Sequence, residues 1–85
     1  MSDDLQDLTD MFKEMRRQAR YSVILAAAPV QQHAVAIGLI TDPEASRTAA
    51  ANLREAAEHG TGWSDHTRQT AREYADWFEQ QAQNH

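Results

Sequence analysis

The apolar positions of this chain concentrate between residues 21 and 40, in the stretch YSVILAAAPVQQHAVAIGLI. Gln31, Gln32 and His33 interrupt it and Pro29 divides it, whereas a membrane-spanning helix needs about 20 consecutive apolar residues. At about 100° per residue, apolar side chains fall on opposite sides of its second half. Such a helix needs two packing partners, and we expect the second partner to come from another molecule.

A seam with spacings of three and four residues precedes this stretch and predicts a long first helix. The seam residues are Leu5, Leu8, Phe12, Met15, Ala19, Ser22 and Ala26. Beyond Arg20, apolar residues also occupy the flanks that earlier turns keep charged. The second half of this helix is therefore predicted to be surrounded by protein.

Helix boundaries are marked by proline, glycine and capping residues. Pro29 disfavours helical geometry before it, so we predict that the first helix stops there and a second runs from about 29 to 40. Asp42 and Pro43 predict the start of a third, alanine-rich helix that ends at Gly60. Ser64 caps a fourth, from about 65 to 83, with aromatic residues on one face. The predicted fold is all-α: a compact bundle or array of four helices in a single domain over residues 1–85, with the first helix longest and broken at Pro29.

Composition narrows the functional classes. The chain has 85 residues, a net charge of -5 and no cysteine. It shows no leader or membrane segment, so we expect a cytoplasmic protein. The negative charge disfavours general binding to a phosphate backbone and favours a protein partner.

The sequence predicts no catalytic, cofactor or metal site. The serines are assigned as caps or packing residues, and no glycine-rich phosphate loop occurs. The histidines are scattered, and Glu55 with His59 is the one carboxylate–imidazole pair four residues apart. A metal site would need three or four converging ligands. We therefore expect a protein that is not an enzyme.

One segment, AVAIGLITDPEASR, resembles the helix-turn-helix family of DNA-binding proteins. Ala34 and Gly38 have the spacing of that family's small residue and turn glycine. The resemblance covers about a quarter of the chain and implies a small dimeric transcriptional regulator. A recognition helix would then open with Ala45, Ser46 and Arg47.

This segment departs from the family's pattern by one extra turn residue and by the acidic Asp42-Pro43-Glu44 start of the next helix. Carboxylates there would face phosphates. The side chains left for DNA contact would be Arg47, Asn52 and Arg54. Nucleic acid binding is thus the alternative to the protein-binding hypothesis.

The favoured hypothesis is a non-enzymatic protein–protein interaction module, such as a regulator or a phage-type inhibitor that occupies a surface of a larger protein machine. A further alternative is an accessory subunit of a larger assembly. We expect a homodimer or an apolar docking patch, because the midpoint holds more apolar surface than so small a core can cover. The predicted partner-binding residues are Arg16, Arg17, Arg20, Tyr21, Ile24, Leu25, Val35 and Leu39.

Overall fold

The computed structural model describes residues 2–84, except for the side chain of Ser2, and within that range it holds three helices and no strand. Helix α1 spans Ser2–Ala36, α2 spans Pro43–His59 and α3 spans Asp65–Gln83. The prediction of an all-α protein is confirmed. The prediction of four helices is wrong, because α1 continues through Pro29.

Packing on both sides of Pro29 explains why α1 does not break there. A proline inside a helix removes one backbone hydrogen bond and costs about 3 kcal/mol. Ala28, directly before it, is fully buried, and Leu25 and Val35 on either side pack against the same core. A new helix direction after residue 29 would take Val35 off that core. The local sequence around Pro29 does not reveal this packing against the hairpin, which offsets the lost hydrogen bond.

Helix α1 ends in a glycine-dependent turn. Gly38 has a φ of 80°, which favours glycine, and its amide donates to the carbonyl of Val35 at 3.2 Å. The Leu39 amide donates to the carbonyl of Ala34 at 2.9 Å. These two bonds form a Schellman motif and satisfy carbonyls at the end of the helix.

The predicted starts of α2 and α3 are confirmed. The Asp42 carboxylate accepts a hydrogen bond from the Glu44 amide at 3.0 Å, with Pro43 in the first helical position. The Ser64 hydroxyl accepts from the Thr67 amide at 3.1 Å. Both are ordinary N-caps that use short polar side chains next to the helix start.

Helices α2 and α3 form a hairpin that contains most of the core. The buried apolar residues of the hairpin are Ala49, Ala50, Leu53, Ala56, Ala57, Ala71, Ala75, Phe78 and Ala82. Because alanine is short, the two helices pack closely around one phenylalanine and one leucine. The Trp77 and Phe78 rings also meet nearly at right angles, with 5.2 Å between ring centroids.

The turn of the hairpin is tightly packed around Gly60. A Cβ at this position would lie 2.7 Å from the carbonyl oxygen of Ala56 and 2.9 Å from the Trp63 ring. The Arg68 guanidinium reaches back from α3 and donates to the carbonyls of Ala57 and Gly60, at 2.5 Å each. This clamp satisfies carbonyls at the end of α2 that would otherwise lack a partner.

Helix α1 packs with its second half against the hairpin, mainly against α2. The Gln18 side chain marks where this contact begins: it donates to the His59 carbonyl at 3.1 Å and accepts from the Thr61 amide at 2.8 Å. Residues 3–17, which we call the arm, extend past the hairpin and are almost all exposed. The molecule is 54 Å long, close to the roughly 52 Å of a 35-residue helix.

No helix in the described part of the chain combines the length and apolar character needed to cross a membrane.

Candidate interaction surface

The inner face of α1 meets the hairpin. Tyr21 and Ala28 are fully buried there, and Ile24, Leu25 and Val35 are partly buried against the core. These positions are related by spacings of three, four and seven residues, so they share one side of the helix. Contacts on this face hold α1 against the hairpin.

The opposite face of α1 carries a row of apolar side chains exposed to solvent. At 100° per residue, this row lies roughly 180° around the helix from the inner face. We call it the outer stripe, and its members are Leu5, Leu8, Phe12, Met15, Ala19, Val23, Ala26, Val30 and Ile37. Helix α1 is therefore apolar on two sides, of which its own subunit covers one.

The exposure of the outer stripe is high for residues of this size. Phe12 is 55% exposed, Met15 59% and Val30 71%, and Met11 beside the stripe is 56% exposed. Each such side chain exposes on the order of 100 Å². The stripe with Met11 then presents roughly 800 Å², above the 300–600 Å² of the largest apolar patch on a typical monomer.

The apolar residues predicted to bind a partner lie mostly on the inner face. The structure places Tyr21, Ile24, Leu25 and Val35 against the subunit's own core, so a partner cannot reach the first of them and reaches the others only in part. Leu39 is the exception, because it is 76% exposed in the turn after α1. Exposed apolar surface is present on α1, but it lies on the opposite side of the helix from these residues.

The three predicted arginines remain on the surface at the base of the arm. Arg16 is exposed, Arg17 pairs with Glu14 and Arg20 lies 3.8 Å from Glu55. Hydrogen bonds from Gln18 and Arg17 lower the pKa of the Glu14 carboxyl. Two of the three arginines thus have a carboxylate neighbour, which reduces their availability to an acidic partner.

Sequence reasoning found the seam from Leu5 to Ala26 but not its continuation. Val23, Val30 and Ile37 extend it along the same side at spacings of seven residues. The proline inside this segment suggested two separate helices, which concealed the shared face. A count of apolar positions on one uninterrupted 35-residue helix would have revealed it.

The candidate DNA-contacting side chains have other partners. Arg47 pairs with Glu44, and Arg54 bonds to Asp76 at 2.8 Å and Glu79 at 2.5 Å. Asn52 is half-buried. Helix α2 has Asp42 and Glu44 at its start, and both of these arginines are paired with carboxylates. It therefore presents little positive charge to phosphates.

Within residues 2–84, no three His, Cys, Asp or Glu side chains come close enough together to hold a metal ion.

No protein family model matches this chain, and no curated protein or solved structure shows significant similarity to it.

Proposed function

We propose that this protein is a non-enzymatic helical interaction module that binds another protein through the outer stripe of α1. One observation supports the proposal: large apolar side chains line the full length of the stripe, while the core of the same subunit is filled mostly with alanine. Exposed apolar patches of this size are typical of protein-binding surfaces.

The shape of the surface fits a helix-in-groove or helix-on-helix contact. A straight helix that presents apolar residues every three or four positions is recognised along one face, with the larger side chains as anchors. Phe12 and Met15 are the largest side chains of the stripe, and both stand on the arm, clear of the hairpin. We propose the cytoplasm as the place of action, and regulation or inhibition of a larger protein as the mode of action.

The test uses two matched double variants. The stripe variant, Phe12→Glu with Val30→Glu, places two carboxylates in the stripe. The control variant, Gln6→Glu with Gln31→Glu, adds the same charge to α1 at exposed positions away from the stripe. All four positions are exposed, so we expect both variants to keep the wild-type circular dichroism spectrum and, at low protein concentration, the wild-type melting transition.

Each protein is immobilised, and the proteins retained from an extract of its native cell are identified by mass spectrometry. We expect wild type and the control variant to retain the same partner and the stripe variant to lose it at least tenfold. If the stripe variant retains every partner and also matches wild type in solution mass, the outer stripe is not a binding surface and the proposal is wrong.

A further inference from the structure

We infer, on the basis of the proposed function, that the outer stripe binds a second copy of this chain, with the two α1 helices antiparallel and centred on residue 21. The observation behind this inference is a symmetry among six of the nine members of the stripe. Leu5 and Ile37 are equally distant from residue 21, and so are Phe12 and Val30, and Ala19 and Val23. Such a symmetry has no role in a single subunit.

This symmetry is what an antiparallel twofold pair requires. In a pair centred on residue 21, residue i of one helix lies beside residue 42 − i of the other. Phe12 then meets Val30 of the second copy, and Leu5 meets Ile37. Ala19 meets Val23 of the second copy near the twofold axis, where the small alanine allows the helices to approach to about 8–10 Å.

The available area is sufficient for a stable dimer. Roughly 800 Å² of exposed apolar side chain per subunit corresponds to the roughly 800 Å² per partner of a standard specific interface. A pair limited to the arms would leave Val23, Val30 and Ile37 uncovered, although they are 66%, 71% and 56% exposed. The antiparallel pair centred on residue 21 extends along the whole of α1 and covers them.

The charges of α1 favour the antiparallel direction. Residues 3–10 contain four aspartates and no basic residue, so a parallel pair would place acid beside acid along this segment. In the antiparallel pair, residues 3–10 lie beside residues 32–39, whose one ionisable side chain is His33. The basic segment 13–20 lies beside residues 22–29, which carry no charge.

The hairpins do not obstruct this pairing. Each hairpin packs on the inner face of its α1, roughly 180° from the stripe. In the dimer the two α1 helices form the centre and the two hairpins lie outside.

Sedimentation equilibrium of the pure protein tests the stoichiometry. We expect wild type and the control variant to sediment at twice the 9.6 kDa chain mass, and the stripe variant at 9.6 kDa. A wild type that stays at 9.6 kDa up to its solubility limit overturns the inference. Capture of a different protein in a Phe12-dependent manner would still support the proposed function in that case.

Cysteine cross-linking tests the direction and register, and the chain lends itself to it because it has no cysteine. Phe12→Cys and Val30→Cys are made as separate proteins and then mixed under mild oxidation. We expect a disulfide-linked dimer in the mixture, because the two cysteines face each other in the antiparallel pair.

Each single variant is the matched control. Two copies of residue 12 lie roughly 27 Å apart along the antiparallel pair, too far for a disulfide. They would be close in a parallel pair or in an antiparallel pair of arms alone. Efficient cross-linking of Phe12→Cys by itself, or a mixture that yields no linked dimer while wild type is dimeric, overturns the antiparallel pairing.

Discussion

The α2–α3 hairpin and the arm of α1 distribute their side chains in opposite ways. The hairpin buries mostly alanine, with Leu53 and Phe78 as its large core residues, whereas the arm leaves leucine, phenylalanine and methionine in solvent. A lone subunit gains little from Phe12 where it stands, since the hydrophobic contribution comes from removing apolar surface from water. The difference shows that side-chain size does not determine burial. Burial depends on whether another element is within reach.

The same substitution in the two regions tests this comparison most directly. We expect Phe78→Ala to lower the free energy of unfolding by about 3–5 kcal/mol, because Phe78 is fully buried and its removal leaves a cavity. Phe12→Ala, at low protein concentration, should change it by less than about 0.5 kcal/mol, since an exposed side chain loses few contacts. Urea denaturation followed by circular dichroism measures both.

Protein concentration then sharpens the comparison. If the outer stripe is covered in a dimer, the loss of unfolding free energy caused by Phe12→Ala increases with protein concentration. The loss caused by Phe78→Ala is present at every concentration. If Phe12→Ala and Phe78→Ala lower the free energy of unfolding equally in a dilute sample, the arm packs within its own subunit.

The two prolines of the chain provide a second test, on the continuity between the arm and the packed half of α1. Pro29→Ala restores a backbone hydrogen-bond donor inside a helix, and we expect it to raise the free energy of unfolding by about 1–2 kcal/mol after the gain in unfolded-chain entropy. Pro43→Ala is the control, because proline suits the first position of α2, and its replacement should lower stability by up to about 1 kcal/mol. Chemical denaturation reports both changes. Loss of stability in Pro29→Ala would indicate a helix break at residue 29.

A further modest effect is expected at Tyr21, which lies just beyond the arm and is fully buried. Its hydroxyl has no hydrogen-bond partner in the described part of the chain. Because an unpaired buried hydroxyl is unfavourable, Tyr21→Phe should stabilise the protein by about 1 kcal/mol.

Tyr74, which is half-buried, is the matched position for this change. We expect Tyr74→Phe to leave the melting temperature within experimental error, since solvent remains accessible to the side chain. A destabilised Tyr21→Phe would show that its hydroxyl bonds to a group that the isolated subunit does not provide.

The sequence by itself determined the helical class and most helix ends. Asp42 with Pro43 and Ser64 start α2 and α3, because these residues act on backbone hydrogen bonds within a few positions of themselves. Gly60 ends α2 where a Cβ would meet the Ala56 carbonyl and the nearby Trp63 ring. The spacing of apolar residues at intervals of three and four also identified the seam on the arm. Such signals are local, so they can be read without knowledge of the fold.

Only the tertiary structure decided the path of α1 and which of its faces is covered. Whether α1 breaks at Pro29 depends on the balance between one lost hydrogen bond and the packing of residues 28 and 35 on a hairpin that follows later in the chain. Likewise, Tyr21 and Phe12 are both aromatic residues on one helix, yet the hairpin reaches one and not the other. Such contacts join residues that are distant in the chain, and the pattern within one helix does not encode which of two apolar faces its own subunit will bury.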